Sequence, residues 1–192
     1  MKRSEINKLL DEACDFFSSC HFQLPPFAFW SPEDWTARGG AVREIVNHGL
    51  GWDITDFGLG DYYNTGLFLF TIRNGAPENL KTGRGKLYAE KLLISGVNQV
   101  TPLHYHWIKT EDIINRGGGK LAIQLYNGTE DGSLTDDDVT VQVDGLTRTV
   151  KAGGVIRLTP GESITLEPYC YHKFWAEEAP ALIGEVSTVN DD

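Results

Sequence analysis

Cysteine is scarce in this sequence, and the few cysteines present are not paired by spacing. The 192 residues contain three of them, Cys14, Cys20 and Cys170, with no CxxC motif. An odd count without such spacing indicates free thiols in a reducing compartment rather than a disulfide framework. We therefore predict a cytoplasmic protein.

Long hydrophobic runs and an excess of positive charge are also missing. No apolar stretch is long enough to span a bilayer, and Asn7 and Asp11 interrupt the apolar residues near the start of the chain. We expect neither a signal peptide nor a membrane segment. The formal net charge is -10, and a surface with that balance repels phosphate backbones, so nucleic acid is excluded as a partner.

The length and the residue pattern predict a single domain over residues 1–192, with helices over residues 1–50 and a β barrel over residues 65–188. Ser4 is the expected N-cap of a first helix, whose apolar residues recur at helical spacing. Ser31-Pro32 begins a second helical region, with acids in its first turn. This region should break at Gly39-Gly40 and end near Gly49.

The rest of the chain is predicted to be mainly β. Short β-prone runs are separated by Gly-rich turns, and Asp144-Gly145 between two alternating runs is the clearest hairpin. Many short strands after two helices favour a sandwich or barrel. The predicted strands are Leu67–Ile72, Lys86–Ser95, Thr101–Trp107, a run from Glu111 to Gly117, Lys120–Tyr126, Val139–Val143, Leu146–Val150, Val155–Thr159, Ser163–Leu166, Tyr171–Trp175 and Ala181–Ser187.

Three of the five histidines have the spacing of a metal site. His104 and His106 are two residues apart in a strand-like run and so project from one face. Glu111 follows five residues later, and His172 lies near the end of the chain. A barrel that brings its first and last strands together would close the site with His172. Burying these groups without a partner would be costly, so the pattern favours a divalent metal over four structural residues.

These residues resemble a known family. The pattern Gly96…His104-x-His106-x4-Glu111-x5-Gly117 is similar to the first cupin motif, and Gly154-x5-Pro160-Gly161…His172 is similar to the second, with the histidine farther from the Pro-Gly turn than usual. The stretch from Thr101 to Gly119, with Trp52–Gly58 and Glu185–Asp192, resembles the D-lyxose isomerase family of cupins. The similarity extends over nearly the whole chain and implies a single cupin (jelly-roll) barrel with N-terminal helices.

The resemblance also implies residue roles. It places the metal, usually Mn²⁺ in this family, on His104, His106, Glu111 and His172, and the catalytic groups on Lys91 and Glu185. It implies conversion of D-lyxose to D-xylulose, or D-mannose to D-fructose, by a homodimer that takes a small sugar as substrate. Co²⁺, Fe²⁺ and Zn²⁺ are alternative metals. The family's chains typically continue beyond the position of Asp192 into a segment with a further active-site acid, and this sequence stops there.

The chemistry is consistent with these roles. Four protein ligands on a six-coordinate ion leave two positions, which neighbouring oxygens of a hydroxy aldehyde would fill while protons or a hydride move between C1 and C2. Lys91 and Glu185 lie on apolar faces of their predicted strands, as paired or functional ions do. Lys109 either reaches the substrate or faces solvent from a loop, and Phe174 is a candidate wall for a sugar. A cupin dioxygenase or decarboxylase and a non-catalytic sugar-binding cupin are the alternatives.

Overall fold

The computed structural model describes residues 1–189, and its first helix packs against the sheet. This helix, α1, is Arg3–Ser19, and it buries Leu9, Ala13 and Phe17 on one face. The helical prediction is confirmed, but the predicted cap is wrong. Lys2 is the N-cap residue and makes no side-chain cap hydrogen bond, so Ser4 lies within the first turn.

The second helical region begins where the sequence predicts. Helix α2 is Pro32–Arg38, and Ser31 forms a reciprocal capping box, because its Oγ accepts from Asp34 N while its own N donates to the Asp34 carboxylate. A 3-10 turn at Gly39–Val42 follows, and α3 is Arg43–Asn47. The predicted break at the glycine pair is confirmed. No helix among residues 1–189 is both long and apolar enough to cross a membrane.

The remainder of the chain is mainly β, as predicted, and its antiparallel strands form one extended sheet. The strands neighbour one another in the order β1-β2-β3-β10-β5-β9-β6-β7, while β4 pairs with β10 and β8 pairs with β5. A short helix, α4, is Pro77–Thr82. The strands are β1 Gly51–Thr55, β2 Leu67–Arg73, β3 Tyr88–Ser95, β4 Thr101–His104, β5 Glu111–Asn127, β6 Val139–Val143, β7 Leu146–Val150, β8 Val155–Leu158, β9 Ser163–Leu166 and β10 Cys170–Thr188.

The sheet begins earlier than the predicted barrel start at residue 65. Strand β1 pairs with β2 in register, from Gly51 opposite Thr71 to Thr55 opposite Leu67. Strand β1 has five residues, and its inner residues are only half-buried, so its alternation of apolar and polar residues is weak. The sequence pattern therefore did not reveal this strand.

The triple glycine at 117–119 does not end a strand, contrary to the sequence prediction. It lies inside β5, where the β10 backbone crosses with a shift of register between Glu177 and Ala181. A Cβ atom on Gly118 would come within 2.1 Å of the Pro180 carbonyl oxygen. The glycines therefore allow two long strands to bend tightly around each other at a bulge. Strands β5 and β10 each replace two predicted short strands.

The inner face of the sheet buries one large apolar cluster, and α1 covers a second. Inward residues of β5, such as Leu121, Ile123 and Leu125, belong to the first cluster. Residues of α1 pack with Phe68 and Leu92 in the second. The candidate site lies at the inner face, where β3, β4, β5 and β10 meet.

Candidate metal centre and active site

Strand pairing brings together the four predicted metal ligands. His104 ends β4 and lies directly opposite His172 of β10. Glu111 begins β5, where it pairs with Ser187 of the same strand β10. His106 follows two residues after His104. One donor atom from each of the four side chains lies within 4.8 Å of the others.

Backbone hydrogen bonds orient two of the imidazoles toward the centre of this group. Nδ1 of His104 lies 2.8 Å from the Pro102 carbonyl oxygen, and Nδ1 of His172 lies 3.0 Å from the Cys170 carbonyl oxygen. A carbonyl only accepts, so both Nδ1 atoms carry the proton and both Nε2 atoms present lone pairs. Burial and the neighbouring His172 lower the pKa of His104 to about 4, so this ring is neutral at pH 7.

The donor set fits a divalent cation. Nε2 of His172 lies 3.0 Å from Oε1 of Glu111, and Nε2 of His106 lies 3.6 Å from the same oxygen. Adjacent ligands that are each about 2.1 Å from a six-coordinate ion are about 3 Å apart. Within the described part of the chain, neither His172 Nε2 nor Glu111 Oε1 makes a hydrogen bond, although both atoms are buried. Two buried acceptors that face each other at this distance could hold a cation between them.

Glu111 is a carboxylate in this site. Burial alone would raise its pKa, but contacts with His106 and His172 and the positive charge of Lys109 hold the pKa well below the ordinary value of 4.5. The donor set thus combines one carboxylate with imidazole nitrogens, which suits imidazole- and oxygen-binding metals such as Mn²⁺, Co²⁺, Fe²⁺ or Zn²⁺.

The two predicted catalytic residues form a buried ion pair beside the ligands. Lys91 on β3 is directly opposite Glu185 on β10, and Lys91 Nζ lies 3.1 Å from Glu185 Oε1. Both side chains are less than 10% exposed, at 9% and 6%. The alternating pattern correctly predicted that these charges lie on inward, apolar faces.

Lys109 does not face solvent, in contrast to one of the two sequence interpretations. Its ammonium lies 3.0 Å from Oε2 of Glu111 and 3.3 Å from Oε1 of Glu185, and its side chain is 1% exposed. Lys109 thus links a metal ligand to the candidate proton carrier. The local sequence Ile108-Lys109-Thr110 has no pattern that signals burial, since the apolar Ile108 is exposed and the charged Lys109 is buried.

Ser187 is a site residue that the sequence analysis missed. Its hydroxyl donates to Oε1 of Glu185 at 3.3 Å. Because Ser187 lies two residues after Glu185 in the same strand, period-2 alternation places both on one face and could have identified it. The resemblance in the last residues extends to Asn190–Asp192, which lie outside the described residues.

One cavity of about 380 Å³ is lined by His104, His106, Glu111 and both members of the ion pair. Its other walls are mainly apolar, with Leu67, Leu69 and Leu93 among them. Phe174, predicted to contact a sugar, is buried in the core and also lines this cavity. Such a space, apolar with a few convergent charges, is typical of a small-molecule site.

Two further aromatic side chains, Phe57 and Trp52, lie on different sides of the sheet. Phe57 lines the cavity. Trp52 instead packs against Phe17, Phe68 and Phe70 on the opposite side of the sheet.

Comparison with known proteins identifies sequence relatives along the whole chain. The D-lyxose isomerase family model matches residues 1–192. A D-lyxose/D-mannose isomerase of Escherichia coli O157:H7 is 47% identical over 195 residues, which cover 100% of this chain and 85% of the relative. A D-lyxose/D-mannose isomerase of Thermosediminibacter oceani is 30% identical over 144 residues, covering 73% of this chain and 72% of the relative.

Solved structures with the same fold share little sequence. The L-ribose isomerase of Acinetobacter sp. DL28 in complex with L-ribose superposes with a TM-score of 0.65 at 15% identity, covering 100% of this chain and 83% of that one. Ligand-free L-ribose isomerase of Cellulomonas parahominis gives 0.62 at 15% identity, covering 100% and 85%. These matches confirm the predicted mainly β, cupin-type fold.

Proposed function

Because the chain belongs to the D-lyxose isomerase family and is an isomerase, we propose that it interconverts D-lyxose and D-xylulose, and D-mannose and D-fructose, with the help of a divalent metal. Family membership does not support the alternatives of a dioxygenase or decarboxylase and of a non-catalytic cupin. The substrates follow the names of the relatives, which are D-lyxose/D-mannose isomerases.

One observation carries this proposal: three of the four candidate ligands and a buried lysine–carboxylate pair line one cavity, and the fourth candidate ligand, His172, lies against the other three. An aldose–ketose isomerase needs both features together. It must hold two neighbouring sugar oxygens, and it must move hydrogen between the carbons that carry them.

The proposed metal ligands are His104, His106, Glu111 and His172, and we propose Mn²⁺ as the best activator with Co²⁺ as a substitute. When bound, the ion would act as a Lewis acid toward the oxygens on C1 and C2 of the sugar. The four side chains would fix its position, because hydrogen bonds to backbone carbonyls orient His104 and His172.

We assign the proton transfer between carbons to Glu185. Its Oε1 is held by Lys91, Lys109 and Ser187. The Glu185 side chain also lines the cavity. In the aldose-to-ketose direction, Glu185 would accept the proton from C2 and return it to C1.

Lys91 would exchange protons with the sugar oxygens O1 and O2, and Lys109 would balance the charge of the neighbouring carboxylates. A proton has to reach O1 and leave O2 during the same conversion, and we assign this transfer to the ammonium of Lys91. Lys109 lies between Glu111 and Glu185, where its charge lowers the pKa of Glu111, and it is also a candidate to bind a sugar hydroxyl. Phe174 would form part of the apolar wall against the sugar. A homodimer stays a prediction, and a cytoplasmic location stays a prediction from the unpaired cysteines.

The proposal is tested by incubating Mn²⁺-loaded protein with a panel of aldoses and measuring ketose formation. We expect D-lyxose to give D-xylulose with the highest kcat/KM, D-mannose to give D-fructose, and no oxygen to be consumed. The His104→Ala variant and EDTA-treated wild type serve as controls and should be inactive. Absence of ketose from every aldose with metal-loaded wild type would refute the proposal.

A further inference from the structure

The turn after β1 places an aromatic side chain in an unfavourable backbone conformation at the mouth of the cavity. Leu59 N donates to the Asp56 carbonyl oxygen at 3.0 Å, which closes a four-residue turn. Both central residues have positive φ, 54° at Phe57 and 76° at Gly58, the pattern of a type I′ turn. Asn, Asp and Gly are preferred at its first central position, and a bulky residue there is strained.

The protein holds this turn firmly despite the strain. Phe57 N donates to Thr55 Oγ1 at 3.0 Å, and the Asp56 carboxylate accepts from Gly58 N at 2.9 Å and from Gly60 N at 3.1 Å. The strain is not offset by burial, because Phe57 remains 41% exposed. A strained residue that the surroundings keep in place is a signal of function.

The position of Phe57 suggests what this function is. Thr55 and Phe57 line the same cavity as Lys91, Glu111 and Glu185. The three ionic side chains are nearly inaccessible, whereas Phe57 is partly open to solvent, so Phe57 lies toward the mouth and the charged groups lie at the closed end. A sugar held by its C1 and C2 oxygens at the closed end would extend its remaining carbons toward Phe57.

We propose that Phe57 is a substrate-binding residue, whose ring covers the apolar C–H surface of the sugar carbons remote from C1 and C2. This inference rests on the proposed function, since it takes the sugar's orientation from the metal and ion-pair end. The ring contributes binding and excludes water, and it does not touch the reacting atoms. The strained backbone at Phe57 then lowers the stability of the fold, because a tight turn has to present a large aromatic ring to the sugar.

The test replaces Phe57 by residues that suit the turn. In Phe57→Asn and Phe57→Gly the melting temperature should equal or exceed that of wild type, because the strain at positive φ is relieved. KM for D-lyxose should rise by about 5- to 30-fold, the scale expected for loss of apolar contact with part of one aromatic face. The kcat and the metal stoichiometry should stay unchanged, and Phe57→Trp should retain a low KM.

Leu59 offers a matched control, because it belongs to the same turn, is 65% exposed, and is not a wall of the cavity. Leu59→Asn should leave KM unchanged. A Phe57→Asn variant with reduced melting temperature and unchanged KM would show that Phe57 is structural, and an equal KM effect in Leu59→Asn would show a general effect of the turn. Either result overturns the inference.

Binding of the polyol xylitol to the Mn²⁺-loaded protein, measured by calorimetry, separates this inference from the proposed function. The Kd should weaken in Phe57→Asn by about the same factor as KM. An active wild type with unchanged KM and Kd in the variant would reject the role of Phe57 alone. If wild type is inactive but binds xylitol with a Kd that weakens in Phe57→Asn, the proposed substrates are refuted and the contact with Phe57 is not. An inactive wild type that does not bind xylitol would overturn both.

Discussion

Replacing Lys109 by methionine removes an ammonium that bridges a proposed metal ligand and a proposed proton carrier. Lys109 Nζ lies 3.0 Å from Glu111 and 3.3 Å from Glu185, in a side chain that is 1% exposed. At an effective dielectric constant of about 20, each contact has a Coulomb energy of about 5 kcal/mol before desolvation is subtracted. Breaking such a buried pair from one side has a net cost of about 3–5 kcal/mol.

We therefore expect metal-free Lys109→Met to melt about 6–20 °C below metal-free wild type, since 1 kcal/mol corresponds to about 2–4 °C for a chain of this size. Lys120→Met is the matched control. Lys120 pairs with Glu178 at 2.6 Å on the surface, where its side chain is 41% exposed, and its loss should cost less than about 1 kcal/mol. Differential scanning calorimetry on both variants measures the difference.

The metal supplies a second, opposite effect. Lys109→Met removes a positive charge beside Glu111, so a cation bound by Glu111 should be held more tightly. Mn²⁺ should consequently raise the melting temperature of Lys109→Met by more than it raises that of wild type. A melting temperature no lower than that of Lys120→Met, or a smaller Mn²⁺-induced rise than in wild type, would show that Lys109 does not compensate these carboxylates.

Three further outcomes are expected. His172→Ala should lose bound metal in elemental analysis, while His48→Ala, which changes a partly exposed histidine at the end of α3, retains it. Equal metal content in both would place the site elsewhere. Glu185→Gln and Lys91→Met should keep metal and fold but lose turnover by about 10²–10⁴-fold, and a loss of only a few-fold would make them structural ion-pair members. In D₂O, proton transfer through Glu185 should place deuterium at C1 of the ketose, detectable by NMR, whereas a hydride shift would leave C1 unlabelled.

Much of the local structure follows from the sequence. The capping box at Ser31 and the Asp144-Gly145 hairpin are encoded within a few residues, and the flanking strands β6 and β7 have the predicted bounds. The metal ligands were also recognisable, because His104, His106 and Glu111 lie close together in the chain. Short-range chemistry of this kind needs no tertiary information.

Tertiary structure alone decided the remaining features. The pairing of β4 with β10 set His172 opposite His104, 68 positions away, and the same strand β10 set Glu185 against Lys91. Three other features depend on contacts between distant segments. Lys109 points inward, β5 continues through its glycines, and a strained turn presents Phe57 to the cavity. Strand register and crossing are determined by the burial of the whole sheet, which no window of sequence contains.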